Sequence, residues 1–388
     1  MLRISQLIRQ TLAGAPVRQI ESRILIWNLT LGCNLFCAHC YASAKKRHPQ
    51  ELTFEECLDV IRQLPKVGVK FVILSGGEPL MHPHLFELAE ILRKEKIGTY
   101  LSTNGLLIND KNLPLIKQHF LYVGISIDGP PEIHDRFRGR DGAFERSLAN
   151  IRRCLKAPIP VGIRFTLTRQ TSSYLPFVFE LAEREGIPKI YISHLVFAGR
   201  GASLQVLSPP EIKEKMAFVL EKAFEYQEKK IPIEIVTGNN ETDAVYLFQE
   251  FSRRYPHLCS SLWQRLLIRQ GNQAGNRLMN LDALGNLKAD PFFPEAIGNI
   301  RENSLADLWF GSHPLLENLR KFPRKVKGKC ETCSYMKICN GNSRVRAFAE
   351  NDDYQAFDGC CYISSLSSDS FVPQDLESPS LLWSEKEG

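Results

Sequence analysis

The sequence predicts an α/β fold built on a run of parallel strands and followed by a small cysteine-rich module. Short apolar, β-branched runs alternate with amphipathic stretches from Arg23 to Leu195. Such alternation is the pattern of successive βα units, whose strands are parallel and joined by helical crossovers. Strand interiors such as Phe71-Val72-Ile73-Leu74 are apolar at every position, as in a sheet covered on both faces. The cysteines gather at short spacings in two places, one just after the first apolar run and one near the C-terminus. Periodicity alone does not separate an open doubly wound sheet from a barrel. In either, ligands collect at the C-terminal ends of the strands.

Composition narrows the class. A chain of 388 residues, 44% hydrophobic and 24% charged, has room for one large domain and a smaller one and reads as an ordinary soluble protein. No apolar run is long enough to span a bilayer and no secretory signal opens the chain. The 11 cysteines therefore read as metal ligands in a reducing cytoplasm rather than as disulfides. The net charge of +6 is dispersed, which suits an acidic small molecule and gives no Lys/Arg run for nucleic acid. The expected chain is cytoplasmic and has no nucleic-acid or membrane partner.

Residues 1–22 form an arm with a helix over 4–12 and a polar connection through Gly14 and Pro16. Strands are expected over 24–29, 71–75, 99–103, 122–128, 162–167 and 190–195. Helices are expected between them, over 53–64, 84–94, 113–119, 143–155 and 175–184. Thr53 followed by Glu56 is a capping box that starts the first of these. Ser208-Pro209-Pro210 opens a long amphipathic helix over 208–230. A polar loop at Thr237-Gly238-Asn239-Asn240 then closes a first domain of residues 23–240. Residues 241–279 connect to a second domain, 280–363, which contains a hairpin over 280–287 and a short helix over 305–310. Residues 364–388 are a polar tail, expected to be flexible. Cys57, Cys154 and Cys259 stand alone and are read as buried hydrophobes.

The chemistry begins at Leu31-Gly32-Cys33-Asn34-Leu35-Phe36-Cys37-Ala38-His39-Cys40-Tyr41. Three thiolates at C-x3-C-x2-C spacing favour a soft iron–sulfur centre. A cubane held by three cysteines leaves one iron open, and an open coordination site is where chemistry happens. Zinc would want a fourth ligand; His39 stands between two of the cysteines, but no second C-x2-C pair is near. After the second strand comes Ser75-Gly76-Gly77-Glu78-Pro79, where glycines permit close backbone approach and a carboxylate can receive an ammonium. Ser102-Thr103-Asn104-Gly105 follows the third strand, and the fourth carries Ser126 and Asp128, placed on one face by alternation. Arg164 lies amid apolar residues of the fifth strand, where an unpaired guanidinium is rare and a carboxylate partner is expected. His194, at the end of the sixth, is a substrate-contact or proton-donor candidate if its face is the lumen, and otherwise a satisfied core histidine. Near the C-terminus Cys330, Cys333, Cys339 and then Cys360 and Cys361 supply a complete four-ligand set. Spacing favours Cys360 over Cys361 as the fourth ligand, and zinc and a second cluster both fit the set.

The first triplet, followed one βα unit later by Gly76-Gly77-Glu78-Pro79, resembles the radical S-adenosylmethionine (SAM) superfamily. The C-terminal cysteines resemble its SPASM/twitch extension. The resemblance implies a partial (β/α)6 TIM-like barrel and a small C-terminal iron–sulfur domain. It implies a [4Fe–4S] cluster on Cys33, Cys37 and Cys40, with SAM at the open iron as the source of a 5′-deoxyadenosyl radical. By the same resemblance Gly76, Gly77, Glu78, Pro79, Ser102, Asn104, Ser126, Asp128 and Arg164 contact SAM. Residues 288–292 lack the additional cysteine of the fuller SPASM pattern, which implies one auxiliary iron–sulfur cluster, of [4Fe–4S] type. His134-Asp135-Arg136-Phe137-Arg138-Gly139-Arg140, Arg164 to Arg169, Thr237 to Asn240 and Gly341 to Ala347 further resemble the NirJ family, the radical SAM enzymes of heme d1 biosynthesis. That implies an anionic tetrapyrrole substrate, a didecarboxysiroheme whose propionates are removed. It also implies a monomer served by a reductant such as flavodoxin or ferredoxin. Arg136, Arg138, Arg140, Arg164 and Arg200 are candidate partners for the carboxylates. The alternatives are a heme synthase acting on iron coproporphyrin, a peptide-modifying SPASM enzyme and, from another class, a non-catalytic iron–sulfur electron-transfer protein.

Overall fold

The computed structural model describes residues 1–19 and 22–363; the tail 364–388, with its expected flexibility, lies outside the described residues. Its strands are β1 (Leu2–Arg3), β2 (Arg23–Asn28), β3 (Val69–Ser75), β4 (Gly98–Thr103), β5 (Tyr122–Ser126), β6 (Val161–Leu167), β7 (Lys189–His194), β8 (Glu234–Gly238), β9 (Leu278–Leu281), β10 (Asn286–Lys288) and β11 (Gly298–Asn299). They form one open 11-stranded sheet in the order β1-β8-β7-β6-β5-β4-β3-β2-β9-β10-β11. From β8 across to β9 every pairing is parallel, and only β1, β10 and β11 join antiparallel at the two edges. Adjacent parallel strands cannot be joined by a tight turn. The chain returns instead through the helices Phe54–Gln63, Leu85–Lys94, Leu113–His119, Ala143–Lys156, Leu175–Glu185 and Pro209–Glu228. The fold is thus the expected partial barrel: an α/β sheet that curls but does not close.

Strand alternation divides the sheet into two faces. Leu25, Trp27, Val72, Leu74, Val123, Ile125, Ile163, Phe165, Ile190 and Ile192 are fully buried and join one core with Val60, Ile61, Leu88, Ile116, Ile151 and Val178 of the helices. Each such side chain contributes roughly 1.5–3 kcal/mol of burial. The alternate positions, among them Asn28, Ser102, Ser126, Arg164, Tyr191 and Ser193, form the inner face, or lumen. The two capping boxes form: Thr53 Oγ1 accepts the Glu56 amide while Glu56 accepts the Thr53 amide, and Ser208 with Glu211 does the same. Glu56 also takes Arg301 at 2.6 Å, which holds its carboxyl down at about 2.

Several elements depart from the sequence expectation. Thr237 and Gly238 are not loop but the end of β8, which extends the parallel run beyond β7. The stretch 241–279 is mostly helical, with helices Thr242–Arg254 and Cys259–Arg269. The helix Pro131–Arg138 also replaces an expected connection. The C-terminal hairpin does not stand apart: β9 pairs in parallel with β2. Cys57, Cys154 and Cys259 are buried, as expected. Among the described residues no helix is long and apolar enough to cross a membrane.

Just past the hairpin, Asp290 is buried and accepts the Phe292 amide at 2.8 Å. Burial outweighs this bond and raises the carboxyl to about 6. A carboxyl whose folded pKa lies above its unfolded value binds its proton more tightly when folded, so stability falls as pH rises from about 4 to about 6. Asp290→Asn, which keeps an acceptor for Phe292, is expected to gain about 2–3 kcal/mol over the wild type at pH 8 and nothing at pH 4. Urea unfolding at the two pH values measures it; equal stabilities at pH 8 would refute it.

Candidate active site

The loop after β2 is held from several directions. Thr30, Leu31 and His48 all donate to the buried Glu51 carboxylate, the Leu31 amide at 2.7 Å. Glu51 was not singled out from the sequence, because nothing marks a glutamate next to a capping box as the anchor of a loop twenty residues earlier. From the other side, the Gly77 amide donates to Thr30 O at 2.7 Å and the Glu78 amide to Gly32 O at 2.8 Å. A methyl on Gly77 would collide with the Gly32 carbonyl oxygen, and one on Gly76 would come 2.6 Å from Thr30 O. These glycines, expected to let the backbone approach a ligand, let it approach the cysteine loop itself. Arg200 donates to Cys37 O at 2.8 Å and Ala44 O at 3.0 Å, and Arg140 donates to Asn34 O at 3.2 Å. Both were substrate candidates; both brace the loop.

Within it, Cys33, Cys37 and Cys40 pack around Leu35, Leu106 and Ala143. The Leu35 amide reaches Cys33 Sγ at 3.5 Å, the Ala44 amide Cys40 Sγ at 3.4 Å and Arg138 Nη1 Cys37 Sγ at 3.6 Å. Donors aimed at sulfur are what a thiolate-ligated centre requires. Burial pushes Cys33 up to about 12 and raises Cys37 despite Arg138. Such thiols stay protonated at neutral pH until a cationic centre takes the place of their protons. A structural zinc takes four protein ligands, whereas a cubane held by three cysteines keeps one iron open. His39, the imagined fourth zinc ligand, stacks on Phe137 at 4.5 Å. The donor set fits a cluster.

Around this loop several expected SAM contacts turn out to be occupied. Glu78 is wholly buried and accepts Thr103 Oγ1 at 2.7 Å, the Asn104 amide at 2.8 Å and the Leu80 amide at 3.1 Å; burial nevertheless raises its carboxyl. It orients its neighbours and has no exposed oxygen for an ammonium. Pro79 starts a short helical turn behind it. Asn104 donates to Asn34 Oδ1 at 2.7 Å, tying the end of β4 to the cysteine loop. β5 stops at Ser126, so Asp128 does not share its face: Asp128 is fully buried, pairs with Arg138 at 2.5 Å and accepts the Thr166 amide at 2.8 Å. Arg138, another substrate candidate, therefore links Asp128 to Cys37. Ser102 and Ser126 remain half-buried on the lumen face.

Arg164 lies in the lumen but does not find the expected carboxylate. It makes no ion pair among the described residues; its guanidinium sits 4.6 Å from the Tyr191 ring centroid. Arg136 is exposed on the helix Pro131–Arg138. His194 faces away from the lumen, in register with Leu167 on the core side. Its Nε2 meets Asp243 Oδ2 at 2.9 Å, and Tyr362 donates to Asp243 Oδ1 at 2.7 Å. It is a satisfied buried histidine, the second of the two readings of this residue, and not a group facing the lumen.

In the second cysteine group the two neighbouring cysteines line different cavities. Cys330, Cys333, Cys339 and Cys361 line one cavity, together with Asn342 and Asp358. Cys360, preferred on spacing, points into a different small cavity beside His194 and Arg346. Burial raises Cys330 to about 11 and Cys339 well above the ordinary thiol range. The Asn342 side-chain nitrogen is buried without a hydrogen-bond partner among the described residues, a donor available to an inorganic sulfide. This donor set also fits a metal cluster.

Fold and cysteine loop together define the class: the chain belongs to the radical SAM superfamily, whose domain model matches residues 27–182. It is accordingly a radical SAM enzyme, working with a [4Fe–4S] cluster and SAM. It is 38% identical over 375 residues to pre-heme d1 synthase of Dinoroseobacter shibae, covering 94% of this chain and 93% of that one. It is 36% identical to Fe-coproporphyrin III synthase of Methanosarcina barkeri, covering 88% of each chain. The AdoMet-dependent heme synthase of the same organism is 32% identical, with 86% and 94% covered. The crystal structure of Streptococcus suis SuiB bound to its precursor peptide SuiA matches with a TM-score of 0.69 at 18% identity, over 88% of this chain and 76% of that one. That last likeness speaks for the fold alone.

Proposed function

We propose that this enzyme removes propionate side chains from a didecarboxysiroheme-type tetrapyrrole, as a pre-heme d1 synthase. The observation that carries the reading is the 38% identity with that enzyme, which runs over 94% of the chain and so takes in the barrel and the C-terminal cysteines alike. When bound, the cluster and SAM supply the 5′-deoxyadenosyl radical that abstracts hydrogen from a propionate carbon. The chain's own residues divide the remaining work. Cys33, Cys37 and Cys40 hold the cluster, and Arg138 and the Leu35 and Ala44 amides stabilise charge on their sulfurs. The free hydroxyls of Ser102 and Ser126 hydrogen-bond SAM, while Glu78, Asn104 and Asp128 keep the loop and strand ends in place. Cys330, Cys333, Cys339 and Cys361 hold one auxiliary [4Fe–4S] cluster, in a C-terminal module (280–363) whose first strand, β9, also joins the sheet of the barrel (23–240). A small reductant such as flavodoxin or ferredoxin supplies electrons to a cytoplasmic monomer.

Anaerobic turnover with SAM and dithionite tests the reading. Didecarboxysiroheme is expected to lose the mass of its propionates, with 5′-deoxyadenosine formed alongside. If it returns unchanged while iron coproporphyrin III loses carbon dioxide, the heme-synthase reading, which the 32% identity to that enzyme supports, takes its place. Gly77→Ala bears on the loop. Both colliding atoms are backbone, so the cysteine loop must move. SAM cleavage is expected to fall about a hundredfold in a folded protein, read as 5′-deoxyadenosine per chain; wild-type cleavage would count against the loop's role.

A further inference from the structure

The lumen face of β5 to β8 carries a polar site made possible by missing side chains. Register places Ser126, Arg164, Tyr191 and Val236 in one row, with Gly124 opposite Gly162 in the row before. A methyl on Gly124 would come 2.7 Å from Arg164 Cδ. One on Gly162 would collide with the Tyr122 hydroxyl, and one on Gly238 with the Tyr191 hydroxyl. Three strand glycines thus make room for one guanidinium and two phenols on the same concave surface. Glycine weakens a strand interior, so its use here marks a close approach.

Two groups at this place lack the partner their chemistry asks for. Arg164 is half-buried and makes no ion pair among the described residues; its guanidinium lies over the Tyr191 face, 4.6 Å from the ring centroid. Cation–π contact offsets part of the desolvation of a guanidinium and leaves its in-plane donors free. The Tyr122 hydroxyl is buried with no hydrogen-bond partner among the described residues. The neighbouring cation, Lys189, sits 4.7 Å from the Tyr122 ring but is already paired with Glu234 at 3.6 Å. Two unpartnered donors on one surface call for an anion that accepts from Arg164 and Tyr122 together.

We propose that Arg164, backed by Tyr191 and flanked by Tyr122, is the specificity-determining site for a substrate carboxylate inside the barrel. The assignment rests on the tetrapyrrole reading, under which that carboxylate is a propionate. A planar carboxylate accepts a guanidinium in bidentate fashion, and the phenol donates to a remaining lone pair. The methionyl carboxylate of SAM has the same chemistry, so the experiment must separate the two sources.

Didecarboxysiroheme and its methyl ester are titrated by visible absorbance into reconstituted holoenzyme, and SAM is titrated separately. Arg164→Gln is expected to weaken the free acid about 10- to 100-fold while the ester and SAM bind as to the wild type. Arg164→Lys should recover part of the loss, and Tyr122→Phe should lose about three- to tenfold by the same pattern. A fall in SAM affinity with the tetrapyrrole unaffected assigns the carboxylate to SAM and overturns the proposal. Equal losses for acid and ester, or none for either, overturn it too. Wild-type protein that takes up neither didecarboxysiroheme nor its ester overturns the tetrapyrrole reading itself, and this site with it; that outcome is seen before any variant is made.

Discussion

Cys37→Ala is expected to abolish SAM cleavage, lowering 5′-deoxyadenosine formation at least about a thousandfold, while the protein stays folded. Cys37 is the most buried of its triplet at 8% exposed, and its sulfur is the one that meets Arg138. Alanine removes a ligand that the fold does not replace: Glu78 and Asp128, the nearby carboxylates, are both committed to other donors. Arg138 keeps its pairing with Asp128, so no buried charge is left alone and the fold should survive. Iron per chain should fall to what the C-terminal cysteines retain. Cys361→Ala is the complement, expected to lose the other share of iron and keep SAM cleavage in the absence of substrate. Cys37→Ala protein that still forms 5′-deoxyadenosine at the wild-type rate would remove the basis for the enzymatic reading.

Arg346→Met is expected to destabilise the protein by about 3–5 kcal/mol, the cost of stranding a buried charge. Arg346 and Asp358 are a fully enclosed pair, 0% and 1% exposed, meeting at 2.9 Å. The same guanidinium donates to Leu195 O at 3.4 Å and to Asn239 O, at the ends of β7 and β8. Asp358 in turn accepts the Ser343 and Cys360 amides, each at 3.0 Å. The pair therefore fastens the C-terminal cysteine module to the barrel mouth, and its loss should loosen that module first. Adding Asp358→Asn, which removes the charge and keeps an acceptor oxygen for the two amides, should restore much of the stability, because the unpaired carboxylate, rather than the lost contact, carries the cost. Equilibrium unfolding of the single and double variants decides it; a single-variant loss under about 1 kcal/mol would show that water reaches Asp358.

Much of the fold was legible because it is written in local patterns. The alternation of apolar runs with amphipathic stretches located each strand from β2 to β7 to within a few residues, and the capping residues located helix starts. What escaped was short or non-local. β1 is two residues long and β8 ends in Thr237-Gly238, residues that read as a turn until β7 pairs with them. The parallel pairing of β9 with β2 joins segments some 250 residues apart in sequence, and no local pattern announces it.

The candidate site divides in the same way. Sequence by itself determined which residue types are present at which spacings: three cysteines after β2, a Gly-Gly-Glu turn after β3 and a second set of cysteines near the end, enough to identify the superfamily. Only the tertiary structure decided what each side chain faces. Cys360 and Cys361 are neighbours in sequence, yet one turns to His194 and Arg346 and the other to the cysteine cavity. Arg138, Arg140 and Arg200 looked like hands for a substrate and proved to be braces for a loop, while Arg164 faces the lumen with no ion pair among the described residues. The reason is physical: spacing is a property of the covalent chain, whereas direction and partner are set by contacts between elements far apart along it.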